Sequence, residues 1–276
     1  MLILRRANAR LQRVQCLTGN SLKVVACVSM FIDHLSKIFL AAIITKLFWM
    51  AENGEIPFEQ YQSFSDFVRF KLYDIGTIAF PIFCFLLVEG FVHTKNRKRY
   101  MGSMLVFALI SELPFDLGFF SELSRRHGTF PFYFSYQNVF FTLFLGLFCL
   151  SILERLPKFE KEQGPKEDIK TVLLQLGTVV LVAVVAELLR CDYGGQGIIF
   201  IVGFYILRGD CILQALGYLV LFMVTTGNQP TICTILAVIF ILFYNGKRGK
   251  LKLKYCFYWF YPIHILLLYG MTLLLP

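Results

Sequence analysis

Apolar runs separated by short polar segments recur along the whole chain, and the first run sets the theme. VVACVSMFIDHLSKIFLAAII begins at Val24, after Lys23, and is long and apolar enough for a transmembrane helix. Eight further runs follow, giving approximate spans at 24–48, 75–93, 101–120, 138–153, 171–189, 194–207, 211–226, 231–245 and 255–275. The sixth, GQGIIFIVGFYIL, and the seventh are short and glycine-bearing, which leaves a tilted or re-entrant course open and puts the count at eight to ten. The pattern predicts an all-α, polytopic integral membrane helix bundle of about nine spans, forming one domain over 1–276. The longest non-helical pieces expected are 49–74 and 154–170, the first with room for a surface-lying helix. The basic first 23 residues resemble the start of a signal peptide, but the span after them is long and carries Asp33, His34 and Lys37, so it reads as a retained helix.

Composition sharpens this. Hydrophobic residues make up 57% of the 276, charged residues only 16%, and mean hydropathy is +0.65, which excludes an ordinary soluble domain. The net charge of +9 does not signal nucleic acid, because the basic residues cluster between spans. One set of alternate segments holds Arg5, Arg6, Arg10, Arg13 and Lys23; Lys95, Arg97, Lys98 and Arg99; Arg155, Lys158, Lys161, Lys166 and Lys170; Arg208; and Lys247, Arg248, Lys250, Lys252 and Lys254. The other set holds only Lys46, Arg69, Lys71, Arg125, Arg126 and Arg190. The positive-inside rule then predicts a multi-pass cell-membrane protein with a cytoplasmic N-terminus and an outer C-terminus. Anionic lipid or an anionic cofactor suits such clusters. The eight cysteines are scattered without metal-ligand spacing, so neither a disulfide framework nor a metal site is expected.

Ionisable residues in hydrocarbon are costly and mark function by default. His34 lies ten residues into the first span, about 15 Å deep. His264 lies nine residues beyond Tyr255 in YCFYWFYPIHILLLYG, at a similar depth. Pro262 removes a backbone donor and leaves the Tyr258 carbonyl without its usual helical partner. Tyr261 shares the face of His264 at i−3. Glu112, near mid-depth in ALISELPFDL, is placed to orient an imidazole across helices. Asp33 diverges from its neighbour His34 and is expected to pair with Lys37 at i+4. Solvent contact or local pairing explains Glu89, Asp116, Glu187, His93 and His127 as well as any function does, Glu187 having Arg190 at i+3. Gln137 and Asn138 suit a helix cap as well as an acceptor contact.

Lys23 and His34 are eleven steps apart, nearly three turns, so they share a face about 16.5 Å long. A helix so built holds an anion at the cytoplasmic mouth and an imidazole at mid-membrane. Coenzyme A has the matching shape, a phosphate-rich nucleotide on a long, thin thioester arm. The competing class is a proton-coupled small-molecule transporter, where intramembrane histidines and broken helices also occur.

Lys23, ten intervening residues and His34 resemble the first-helix pattern of membrane-embedded acyltransferases. LKVVACVSMFIDHLSKIF (22–39), AFPIFCFLLVEGFVHTKNRKRY (79–100), ALISELPFDL (108–117), QNVFFTLFLGL (137–147), the Asp192–Gly197 glycine cluster and YWFYPIHILLLY (258–269) together resemble the TraX family of that superfamily. Thr77 stands where that pattern has a basic residue. The resemblance implies acetyl transfer from cytoplasmic acetyl-CoA to an amine or hydroxyl, on a peptide such as a pilin N-terminus or on a glycan. It implies His34 as general base, His264, Tyr261 and Glu112 as orienting or oxyanion-stabilising groups, and Lys23 with Lys95, Arg97, Lys98 and Arg99 as holders of the CoA phosphates.

Overall fold

A computed structural model describes residue 8 and residues 10–158, 165–250 and 254–275. Arg5, Arg6, Lys161 and Lys252, counted among the basic clusters, lie outside the described residues. The architecture is helical: α1 (Gly19–Glu52), α2 (Phe58–His93), α3 (Arg97–Arg126), α4 (Val139–Leu153), α5 (Pro165–Leu188), α6 (Gly194–Ile206), α7 (Cys211–Thr226), α8 (Ile232–Leu242) and α9 (Lys254–Thr272). Each predicted span falls on one of these helices. Four, α1, α2, α3 and α5 from Asp168, are long and apolar enough to cross a membrane. The shorter helices α4, α6, α7 and α8 have 11 to 16 residues. At 1.5 Å per residue they extend about 17–24 Å, less than the roughly 30 Å of hydrocarbon.

The 49–74 stretch expected as a loop is mostly helix. The first span runs on to Glu52, and only residues 53–57 separate it from α2. Both helices contain a π-helical turn, Leu35–Leu40 in α1 and Val68–Leu72 in α2. Residues 77–78 break α2, where Thr77 turns its hydroxyl back onto the Asp74 carbonyl at 2.7 Å. Pro81 explains the break: it cannot donate to Thr77, four residues earlier. Pro114 and Pro262 are accommodated inside continuous helices.

Packing resolves the chain into two compact units. The first comprises residues 1–83, 110–133 and 229–276. Here α1 turns Leu22, Ala26, Cys27, Met30 and His34 inward and leaves Val24, Val28 and Phe31 outward, an apolar i, i+4, i+7 stripe suited to lipid. The second comprises residues 84–109 and 134–228, with α6 packed by α4, α5 and α7. The glycine-bearing sixth segment is thus a short helix buried on most sides. Gly146 of α4 is where Ile201 of α6 makes its close approach. Its entry is built by Asp192 to Gly194, with Tyr193 at φ 63° and Gly194 at φ 39°. The Glu187 carboxylate accepts from Gly195 N–H at 2.8 Å, capping α6. The predicted cap at Asn138 is present, its Oδ1 accepting from Phe140 N–H at 3.0 Å.

Candidate functional site

In the first unit, α1 and α9 run side by side in the same direction. Lys23 lies over the Phe257 ring at 5.4 Å, and eleven residues further along α1 His34 meets His264. The depth count that placed the two histidines at one level is met by direct contact: His34 Nδ1 and His264 Nε2 are 2.7 Å apart. The rings lie only 6° from parallel with centroids 4.9 Å apart, the spacing of an end-to-end, in-plane contact rather than face-to-face stacking. His34 is 9% exposed and His264 3%.

The direction of that hydrogen bond follows from its far end. His264 Nδ1 is 2.6 Å from the Phe260 carbonyl, which can only accept, so Nδ1 carries the proton. For a neutral His264, Nε2 is then an acceptor, and His34 Nδ1–H must donate to it. The tautomers assigned by this network leave the lone pair of His34 on Nε2. Asp33 Oδ2 stands 3.9 Å from that atom, beyond hydrogen-bond range but within ion-pair range. Asp33 also pairs with Lys37 at 2.8 Å, as its i+4 spacing predicted. Two acceptors, an imine nitrogen and a carboxylate oxygen, thus face one place in the interior. A primary amine, with more than one N–H, can donate to both; a hydroxyl, with one O–H, can donate to either.

Aromatic walls hold the pair. Tyr261 meets the His34 ring edge-on at 5.7 Å, Phe119 of α3 does so at 5.2 Å, and Phe260 stacks on His264 at 4.6 Å. Tyr261 therefore lines the site, as its spacing from His264 predicted. Glu112 shares the stripe of Phe119 on α3, seven residues away and so about 10.5 Å along the axis. Its Oε1 is shut off from solvent. Phe119, Phe260 and Asp33 join the site without having been singled out for it. Their signal was weak, since aromatic residues abound here and neighbours in a helix normally diverge.

A close helix crossing fixes this geometry. Ser29 Oγ donates to the Ile75 carbonyl at 2.6 Å, and one turn on, Asp33 lies against Gly76. A Cβ added at Gly76 would sit 2.6 Å from Asp33 Cγ and 2.7 Å from its Cβ. A Cβ added at Gly118 of α3 would likewise sit 2.6 Å from Ile265 of α9 and 3.1 Å from Ile38 of α1. A shallow cleft lined by Leu47, Gln60, Ser63, Phe64 and Phe67 opens further along α1, Leu47 being about 20 Å beyond His34.

The predicted phosphate-holding residues divide between the units. Lys23 belongs to the first; Lys95, Arg97, Lys98 and Arg99 belong to the second. Lys95, Lys98 and Arg99 are exposed. Arg97 forms a two-pronged pair with Glu154, lies 4.6 Å from the Phe91 ring, and shares Glu154 with the Tyr205 hydroxyl at 3.1 Å. A fork engaged with a carboxylate and an aromatic face is a structural tie. Replacing Arg97 with alanine is expected to cost about 1–2 kcal/mol, measurable as a lowered midpoint of unfolding in detergent. Lys98→Ala and Arg99→Ala should leave that midpoint within about 0.5 kcal/mol of wild type.

The remaining flagged residues are structurally accounted for. His93 and His127 are exposed, and their Nδ1 atoms donate to the carbonyls of Glu89 and Leu123 in the preceding turn. Asp116 is 1% exposed and accepts from Tyr133 N–H at 3.0 Å, tying the loop after α3. Glu187 engages α6, as described, where Arg190 had been the expected neighbour. In the second unit, Tyr136 hydrogen-bonds Asp192 at 3.2 Å, and burial together with that carboxylate holds its phenol well above the usual range.

Against known proteins, the family model described as TraX protein matches residues 18–272. The chain is 27% identical over 269 residues to the probable fimbrial assembly protein FimC, serogroup H1, of Dichelobacter nodosus, covering 90% of this chain and 92% of that protein. No solved structure matches.

Proposed function

Because the chain belongs to the TraX family, whose model covers nearly all of it, we propose that it is a membrane-embedded acetyltransferase of pilus or fimbrial assembly. It takes acetyl groups from cytoplasmic acetyl-CoA and passes them to an amine or hydroxyl, a pilin-like peptide N-terminus being the first choice. The observation that carries this reading is the polarised Phe260–His264–His34 chain, which presents a lone pair on His34 Nε2 beside the Asp33 carboxylate. Acceptor N–H or O–H loses its proton to Nε2 as its lone pair forms the new bond to the thioester carbonyl carbon. Asp33 stabilises the imidazolium so formed. As the C–S bond breaks, the imidazolium returns the proton to the departing thiolate, and CoA leaves as the thiol. Tyr261, packed edge-on against the His34 ring, positions the base.

The donor fits the frame. Lys23, half-buried, shares a face of α1 with the buried Cys27, Met30 and His34 and lies about 16.5 Å from the last, long enough for the thin arm of CoA between a phosphate site and a base. The parallel course of α1 and α9 agrees with both entering from the cytoplasmic side, as a nine-span topology with a cytoplasmic N-terminus requires.

Purified protein in detergent, given acetyl-CoA and a primary-amine peptide, should release free CoA thiol faster than a protein-free control, with acetylated peptide detected by mass spectrometry. Neither release nor CoA binding would discard the acetyltransferase reading in favour of a proton-coupled transporter.

A further inference from the structure

The segment ahead of α9 folds back onto the start of α1. Leu17 N–H donates to Phe243 at 2.9 Å, Asn245 N–H to Leu17 at 2.9 Å, Gly19 N–H to Lys247 at 2.8 Å and Asn20 N–H to Arg248 at 3.0 Å. Asn245 Oδ1 accepts from Lys247 N–H at 3.0 Å and closes the turn. Gly249, at φ 93°, is tucked so tightly that a Cβ would meet Asn20 Nδ2 and Thr18 Oγ1, each at 2.9 Å. The loop 245–250 is thus fastened through its backbone, while Lys247, Arg248 and Lys250 are exposed. Lys23 is one turn along α1 from Gly19, about 6 Å.

Charge balance separates this cluster from the other basic ones. No Asp or Glu occurs in residues 1–32 or 211–276, so the segments that build this end of α1 and α9 carry no carboxylate. In the second unit, by contrast, Arg97 is paired with Glu154. Because carbonyls of the loop occupy the N–H groups of Gly19 and Asn20, the helix end itself offers them to no ligand, and binding falls to the side chains.

We propose that Lys247 and Arg248, with Lys23 and Lys250, form the site for the phosphates of the acyl-CoA nucleotide, at the mouth of the stripe that ends at His34. This rests on the acetyl-CoA reading above and assigns the nucleotide to this loop in place of the Lys95–Arg99 cluster. The shared chemistry is phosphate, so an anionic lipid headgroup is the rival occupant.

The test compares wild type with the double variant Lys247→Gln/Arg248→Gln in nanodiscs of phosphatidylcholine. Calorimetry would measure the affinities of CoA and of pantetheine, which lacks the nucleotide. The loop is held by backbone carbonyls, so the variant keeps its docking. The expected result is a loss of about tenfold or more in CoA affinity with little change for pantetheine, and a wild-type affinity for CoA that weakens with salt. Wild type that binds CoA alongside a variant that binds it equally well would overturn the loop assignment alone. Equal CoA affinity with lost binding to phosphatidylglycerol vesicles would make the loop a lipid anchor and overturn it as well. Wild type that binds no CoA would remove the acetyl-CoA reading itself.

Discussion

His34→Ala is expected to lower acetyl-CoA-dependent peptide acetylation by about 10²–10⁴-fold, the range that general-base catalysis supplies. The lone pair on Nε2 has no equivalent at this place: Asp33 is held by Lys37, and the His264 Nε2 that the substitution frees faces the position of His34 Nδ1, the opposite side of the lost ring from Nε2. His34→Gln keeps most of the volume and can still donate to His264, so it separates lost chemistry from lost packing. Both variants should bind CoA with near-wild-type affinity, because Lys23, one of the proposed phosphate-binding charges, lies about 16.5 Å away along α1. His264→Phe should cost less than His34→Ala. It retains an aromatic ring but removes the acceptor that fixes the His34 tautomer, so the loss should appear in kcat rather than KM. Full activity of His34→Gln would sink the assignment of His34 as the base.

How much of this was legible from residues alone differs from element to element. Counting residues from Val24 and from Tyr255 was enough to bring His34 and His264 to one level, because rise per residue is nearly constant in a helix. The i+4 spacing found the Asp33–Lys37 pair for the same reason. Local rules failed where a contact depends on a partner helix. Asp33 was set aside as a neighbour of His34 on helical divergence, yet its carboxylate reaches 3.9 Å from Nε2 at the edge of a π-helical turn that no pattern in LSKIFL announces. The 49–74 stretch was expected as a non-helical piece with room for a surface-lying helix. It is mostly helix: Tyr61, Phe64 and Val68, at i, i+3 and i+7, turn inward, while Trp49, Phe58 and Phe67 remain exposed, as residues at a lipid boundary would be. Arg97 looked like one more member of a basic cluster. Its partner Glu154 lies 57 residues on, a separation that only packing reveals.

Gly76 is the clearest case of a residue whose importance lies in having no side chain. Gly76→Ala is expected to destabilise the protein by about 1–3 kcal/mol, as overpacking does elsewhere, and to slow acetyl transfer by about 10²-fold. The added methyl would meet the Asp33 carboxylate and also its Cβ at 2.7 Å, an atom fixed to the backbone of α1. Rotating the carboxylate away therefore cannot relieve the clash. Either α1 and α2 separate, which breaks the Ser29–Ile75 hydrogen bond, or Asp33 shifts with the turn that carries His34. Both routes carry His34 and Asp33, neighbours on α1, out of register with His264 on α9, while every reacting group stays chemically intact. Asp33→Ala in the same background makes the cause visible: removing the carboxylate should recover part of the stability lost in Gly76→Ala, without restoring the rate. Gly76→Ala with wild-type stability and wild-type transfer would show that the crossing of α1 and α2 does not set the geometry of the histidine pair.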